Sequence, residues 1–165
     1  MKYCKNNTEL FANNVGFQTC LVNLNDLILK EGCSETLPFF HTSESVIDMD
    51  MVERIVASAE KRPPNKSMDS SFIITTNSST EIVFVEFRFN YVNLKNITPD
   101  ALVGKKTYSS KIFIDKGHTN IHNDFYYVFN KGYVEQGKRR LRNLHPRVPS
   151  NFIGCSIEEV KNKFF

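Results

Sequence analysis

The chain has 165 residues, of which 41% are hydrophobic and 24% charged, and its formal net charge is +3. That length suits one domain, large enough to bury a core without disulfides or metals to staple it, and the composition excludes global disorder. The charge is too mild to imply a nucleic-acid partner by itself. No apolar run approaches the roughly 18 residues of a membrane span, and the opening residues lack the apolar core of a signal peptide. A cytoplasmic location with no membrane partner is therefore expected.

Cys4, Cys20, Cys33 and Cys155 form no C-x-x-C pair, which removes zinc-ribbon and thioredoxin-type motifs. Their wide scatter suits free thiols in a reducing compartment, with two bridges left as the alternative. Over residues 1–40, Thr8, Glu9, Leu10 and Phe11 open a short helix that ends near Gly16. Leu21, Leu24, Leu27 and Ile28 then recur at helical spacing, with Gly32 as a stop and Pro38 as a break. This region is either part of the core or an appended helical cap.

The spacing predicts a helix over residues 50–61. Asp50 with Glu53 three residues later is capping-box-like, and Val52, Ile55, Val56 and Ala59 form the inward stripe. Pro63 and Pro64 end it, because proline cannot continue the hydrogen-bond ladder. The period then changes. Phe72 to Thr76 is a β-type run, Asn77-Ser78-Ser79 is turn-like, and residues 81–92 form the longest β-type run in the chain. Their short polar connection predicts an antiparallel hairpin.

Thr98-Pro99-Asp100 is a helix start, with a capping hydroxyl, a proline at the first turn and an acid at the positive end of the dipole. That helix reaches toward Phe113, weakened by Gly104. Phe125 to Phe129 reads as a strand, and Gly132 and Gly137 punctuate a short hairpin or bulge. A basic stretch follows, then Pro146 and Pro149, and Ser156-Ile157-Glu158-Glu159 is a capping box opening a terminal helix. The order predicts a single α/β or α+β domain, a mixed central sheet flanked by helices.

The strand at 81–92 carries the one chemical lead. Alternation puts Val83, Val85, Phe87, Phe89 and Tyr91 on one face, and Ile82, Phe84, Glu86, Arg88 and Asn90 on the other. The second face begins apolar and turns into a polar stripe, which a buried strand avoids unless its charges pair or meet solvent.

The order helix–strand–turn–strand–helix, with Glu86-x-Arg88 on the second strand, resembles the restriction-endonuclease-like PD-(D/E)xK superfamily over residues 48–130. The resemblance implies that Asp69 and Glu86 are carboxylates that bind Mg²⁺, and that Arg88 stands where the family has lysine. Glu53 would match an extra acid on the preceding helix, and the following helix would bring Lys105, Lys106 and Tyr108 toward the site. Hard divalent cations take oxygen ligands, so paired carboxylates make chemical sense. The pattern departs from the family in three respects. Met68 precedes Asp69 where proline is expected, Asp69 lies a few residues before its strand, and Arg88 replaces lysine and stays protonated, so it can hold a phosphate but cannot act as a base. The implied activity is that of a nuclease-like or nucleic-acid-binding domain acting on DNA or RNA, catalytic with Mg²⁺ or inactive and binding only.

The basic stretch contains Lys138, Arg139, Arg140, Arg142 and Arg147 with His145 among them. It can hold a nucleic-acid backbone or an acidic partner, or form a solvated face. Lys105 and Lys106 are further candidates for backbone binding. Other patterns are weaker: His118 and His122 lack the glutamate of H-E-x-x-H, and Gly104-Lys105-Lys106-Thr107 lacks the preceding part of a phosphate loop. The bland alternative pairs Glu86 and Arg88 across an exposed sheet and makes Asp69 a turn residue. The chain would then be a non-catalytic protein-interaction module of immunity or regulatory type.

Overall fold

The structure, a computed structural model, describes residues 2–35, 38–76, 79–90 and 94–165. In chain order the strands and α-helices are β1 (Lys2–Tyr3), α1 (Lys5–Asn14), β2 (Leu21–Asn23), α2 (Leu24–Lys30), β3 (Ser45–Asp48), α3 (Met49–Ala59), β4 (Ser70–Thr75), β5 (Thr80–Arg88), α4 (Pro99–Ile114), β6 (Ile121–Phe129), α5 (Val134–Arg142), β7 (Phe152–Cys155) and α6 (Ile157–Phe164). The described strands form one mixed sheet in the order β2-β3-β4-β5-β6-β7, with β1 paired to β4. β2 to β5 run antiparallel to their neighbours, whereas β5, β6 and β7 are parallel. The two parallel crossovers are α4 and α5, which is what parallel pairing demands.

Alternation along the strands explains why the sheet is covered on both sides. Ile47, Ile73, Ile82, Phe84, Phe125 and Tyr127 face one core, closed by Ala12 of α1, Val52 of α3, Leu102 and Phe113 of α4 and Leu141 of α5. Val46, Phe72, Ile74, Val83, Val85, Phe87 and Val128 face the other, closed by Leu24, Leu27 and Ile28 of α2 and Val160 and Phe164 of α6. The architecture is α/β in three layers. Residues 2–35 belong to it: β1 and β2 extend the sheet, and Ala12, Phe17, Leu27 and Ile28 are buried.

Several local expectations shift. The cap of α3 is Asp48, whose Oδ1 accepts from Met51 N at 3.0 Å, rather than Asp50. Glu53 does not reach back in a capping box; its Oε1 holds Arg62 and the backbone N–H of Asn65. β2 is carved from the start of the Leu21–Ile28 pattern, because Asn23 caps α2 by accepting from Asn25 N and Asp26 N. Gly137 lies inside α5 rather than in a hairpin. A Cβ there would collide with the Phe129 ring, so the glycine lets the helix sit on β6.

β5 ends at Arg88, which leaves Phe89 and Asn90 in a turn. Tyr91 and Val92, and Asn77 and Ser78 of the expected turn, lie outside the described residues. Thr98 caps α4 by accepting from Ala101 N, and Ser156 with Glu159 forms the capping box of α6. Cys4, Cys20, Cys33 and Cys155 are free thiols.

Candidate functional site

The antiparallel register pairs Ser70 with Val85 and Ser71 with Phe84. One step further along both strands sets Asp69 across from Glu86, on the face that carries α4. Next along the sheet, Glu86 pairs with Tyr127 of β6 and Arg88 with Phe129. β5 and β6 end here, and the antiparallel β4 begins here. In open α/β sheets this end, outside the carboxyl ends of parallel strands, is where ligands bind.

Four charged side chains meet at this end. Lys105, in the second turn of α4, places Nζ 2.6 Å from Glu86 Oε1 and 3.5 Å from Asp69 Oδ1. Arg88 Nη2 lies 2.9 Å from the same Glu86 oxygen. The backbone N–H of Phe87 donates to Asp69 Oδ2 at 2.6 Å, so this carboxylate also satisfies a backbone donor at the end of β5. Glu86 is 1% exposed, and its Oε2 has no hydrogen-bond partner. With both carboxylates ionised, one ammonium and one guanidinium balance them in charge, which is the condition for burying ions.

Burial pushes the Glu86 carboxyl up to about 8, and the Asp69 charge adds to that, against the pull of Arg88 and Lys105. Asp69 is raised as well, by burial first, although Lys105 and the Phe87 N–H pull it down. Burial alone would lower Lys105, but the Glu86 and Asp69 charges outweigh it and leave it raised. The cluster thus retains its protons more readily than the same groups in water.

Asp69, Glu86 and Arg88, singled out from the sequence, are brought together, and Lys105 joins them. Lys106, one residue on, points elsewhere: its ammonium sits over the Phe125 ring, 5.2 Å from the centroid. Glu53 is buried against Arg62 and Asn65 instead of the cluster. The acid of α3 whose charge bears on Asp69 is Asp50, which accepts a hydrogen bond from the Ser67 hydroxyl. Asn90 leaves the stripe and donates to the carbonyl of Glu31.

Sequence reasoning missed Tyr127, which lies beside Glu86 and donates to the carbonyl of Leu102 at 3.4 Å. The signal was its place in the run 125–129 opposite the polar stripe, but only the register makes them neighbours. Tyr108, on α4, is exposed and lines the cleft that opens over Lys105.

The basic stretch forms α5 and the segment after it. Lys138 binds Glu159 and Glu135, and Arg140 Nη2 holds the carbonyls of Lys95 and Ile97. Arg139, Arg142 and Arg147 are exposed.

Among the described residues no group of three or more His, Cys, Asp and Glu side chains is arranged to hold a metal. The smaller donor set of Asp69 and Glu86 still fits a hard divalent cation that keeps several waters. Glu86 Oε2 is unpartnered, and Asp69 Oδ1 is held only by a 3.5 Å contact. No family model, curated protein or solved structure matches the chain.

Proposed function

We propose that the chain is a nuclease-like domain that binds a phosphodiester of DNA or RNA at the Asp69–Glu86–Arg88–Lys105 cluster and hydrolyses it with Mg²⁺. The observation that carries this reading is the contact of one ammonium, Lys105 Nζ, with both Asp69 and Glu86. A four-charge constellation at the ligand-binding end of an α/β sheet is a functional-site candidate, and raised acids sharpen it. The resemblance to the PD-(D/E)xK superfamily supports it further. Arg88 stands at the lysine position of that pattern, and Lys105 supplies an ammonium from the neighbouring helix.

Asp69 and Glu86 would hold the cation. Bound there, Mg²⁺ would polarise the phosphoryl group and activate water. Lys105 opens onto a cleft of about 470 Å³ and meets the phosphate oxygens there. Arg88 orients Glu86 and neutralises charge without taking a proton. The water oxygen bonds to phosphorus, the ester P–O bond breaks, and the proton of the water ends on the leaving oxygen. Glu86 must be ionised to hold the cation, and burial, which favours its protonated form, works against that.

The deciding experiment incubates the protein with single-stranded and duplex DNA and RNA, in Mg²⁺ or Mn²⁺ and in chelator, beside Glu86→Gln and Asp69→Asn. Metal-dependent cleavage lost in both variants is expected. Absence of cleavage with either metal, or cleavage that survives Glu86→Gln, overturns the reading. One observation favours the non-catalytic alternative: Lys105 and Arg88 both contact the same Glu86 oxygen. A cluster so closed in charge can serve as a structural lock in a protein-interaction module.

A further inference from the structure

Positions 100, 103, 104, 107 and 108 of α4 recur at the spacing of one helix face. This face looks outward. Val103 is 40% exposed and Tyr108 42%, so α4 presents apolar groups to solvent as well as to the core. Two clefts meet on the stripe and share Asp100, Gly104 and Tyr108. One, of about 470 Å³, runs toward Lys105, Lys66 and Pro64. The other, of about 380 Å³, runs to Pro146, Arg147 and Val148. A third, of about 510 Å³, continues past Arg147 and Val148 to Arg142 and Lys138.

The floor of this groove is open at Gly104. A Cβ at Gly104 would have the Tyr108 ring, at 3.8 Å, as its nearest neighbour. Lys66, Arg142 and Arg147 are exposed and form no ion pair among the described residues. The carboxylate facing them in the first two clefts is Asp100, in the first turn of α4. The groove thus alternates cations with an exposed aromatic face, and it ends beside Lys105, three residues from Tyr108 on the same helix.

We propose that this groove is a track for single-stranded nucleic acid, in which a base stacks on Tyr108 while Lys66 on one side and Arg147 and Arg142 on the other hold the flanking phosphates. The inference rests on the reading of the acid–lysine cluster as a phosphodiester site, and it names the form of substrate delivered there. An aromatic platform within a cationic groove recognises unpaired bases, because every base has a π face. Duplex bases are stacked inside the helix, so a duplex offers Tyr108 nothing but backbone. An acidic peptide could use the cations but would leave the aromatic face without a reason.

The test is binding measured by fluorescence anisotropy in chelator, with a labelled oligo-dT, an oligo-U and a duplex of equal length. The proteins are the wild type, Tyr108→Ala, Tyr108→Phe and Arg147→Ala. Single strands are expected to bind more tightly than the duplex. Tyr108→Ala should weaken them roughly tenfold, the order of one lost base stack, and Tyr108→Phe should restore most of it. Arg147→Ala should weaken single-strand binding and reduce the salt slope by about one.

Equal affinity for the duplex, wild-type affinity in Tyr108→Ala, or no oligonucleotide binding at all overturns the track; the last result leaves the stripe to a protein partner. The two readings fail separately. Single-strand binding through Tyr108 without metal-dependent cleavage defeats hydrolysis and keeps the track. Cleavage indifferent to Tyr108→Ala does the reverse.

Discussion

Two charged regions of the molecule look alike by count and differ in kind. At the end of β4 and β5, Asp69, Glu86, Arg88 and Lys105 are withdrawn from water and closed in charge. On α5 the basic residues are largely solvated. Lys138, for instance, pairs with Glu135 and Glu159, whose side chains are 80% and 51% exposed. The Coulomb attraction of such surface pairs is spent against solvent and side-chain entropy, whereas the buried cluster has no water to fall back on. What separates them is desolvation, and desolvation follows from strand register and not from the number of charges nearby.

The sharpest way to break the comparison is to remove one buried cation. Lys105→Met keeps an unbranched side chain and leaves Glu86 and Asp69 with Arg88 alone. The expected loss is about 3–5 kcal/mol, the range for breaking a buried pair, read from urea unfolding. Glu86 can escape part of this by keeping its proton, so the loss should grow as pH rises. A loss below about 1 kcal/mol at pH 8 would place the cluster with the surface pairs.

Titration offers the second test. The folded-state value of Glu86 is about 8, against 4.5 in the unfolded chain. Between those values the folded state binds the additional proton, so the contribution of Glu86 to stability falls as pH rises from about 4.5 to about 8. Glu86→Gln resembles the protonated form at every pH. Its stability should therefore be flatter across that window, with the variant gaining on the wild type toward pH 8. Urea midpoints at a series of pH values check this, and parallel profiles would remove the burial argument.

α5 is anchored by what faces inward. Gly137→Ala should raise helix propensity by about 1 kcal/mol, yet the added Cβ meets the buried ring of Phe129, the last residue of β6. Overpacking of this kind costs about 1–3 kcal/mol, so a net loss or near cancellation is expected. A net gain in melting temperature would mean that the ring yields freely.

The same contrast explains what was legible in the sequence. The alternation in 81–92 separates Glu86 and Arg88 from the purely apolar face, and Thr98 and Ser156 announce their helices, because these signals are local. The closure of the cluster was harder to read. Asp69 precedes its strand, and only the pairing of Ser70 with Val85 carries it across to Glu86. Lys105 and Lys106 are indistinguishable by residue type; a rotation of one position on α4 sends the first to the carboxylates and the second to Phe125. β3 and β7 have four residues each, too few for periodicity to stand out, and they form only because a neighbouring strand supplies the hydrogen bonds. Gly137 looked like punctuation because its reason is contact with the Phe129 ring, which only the packing of α5 on β6 reveals.

Lys138 gives the smallest effect and the most direct contrast with Lys105. It makes two ion pairs, 3.2 Å to Glu135 and 3.0 Å to Glu159, so a count of contacts equates it with Lys105. Both acids remain solvated when it is removed, and Glu159 keeps its hydrogen bond from Ser156 N. Lys138→Ala should therefore cost no more than about 1 kcal/mol, with most of that lost in high salt. The Lys105→Met cost should persist in the same monovalent salt, since screening is weak around a carboxylate that is 1% exposed. Matching urea titrations of the two variants at low and high ionic strength measure the difference directly, and equal salt sensitivity would show that the cluster is open to solvent.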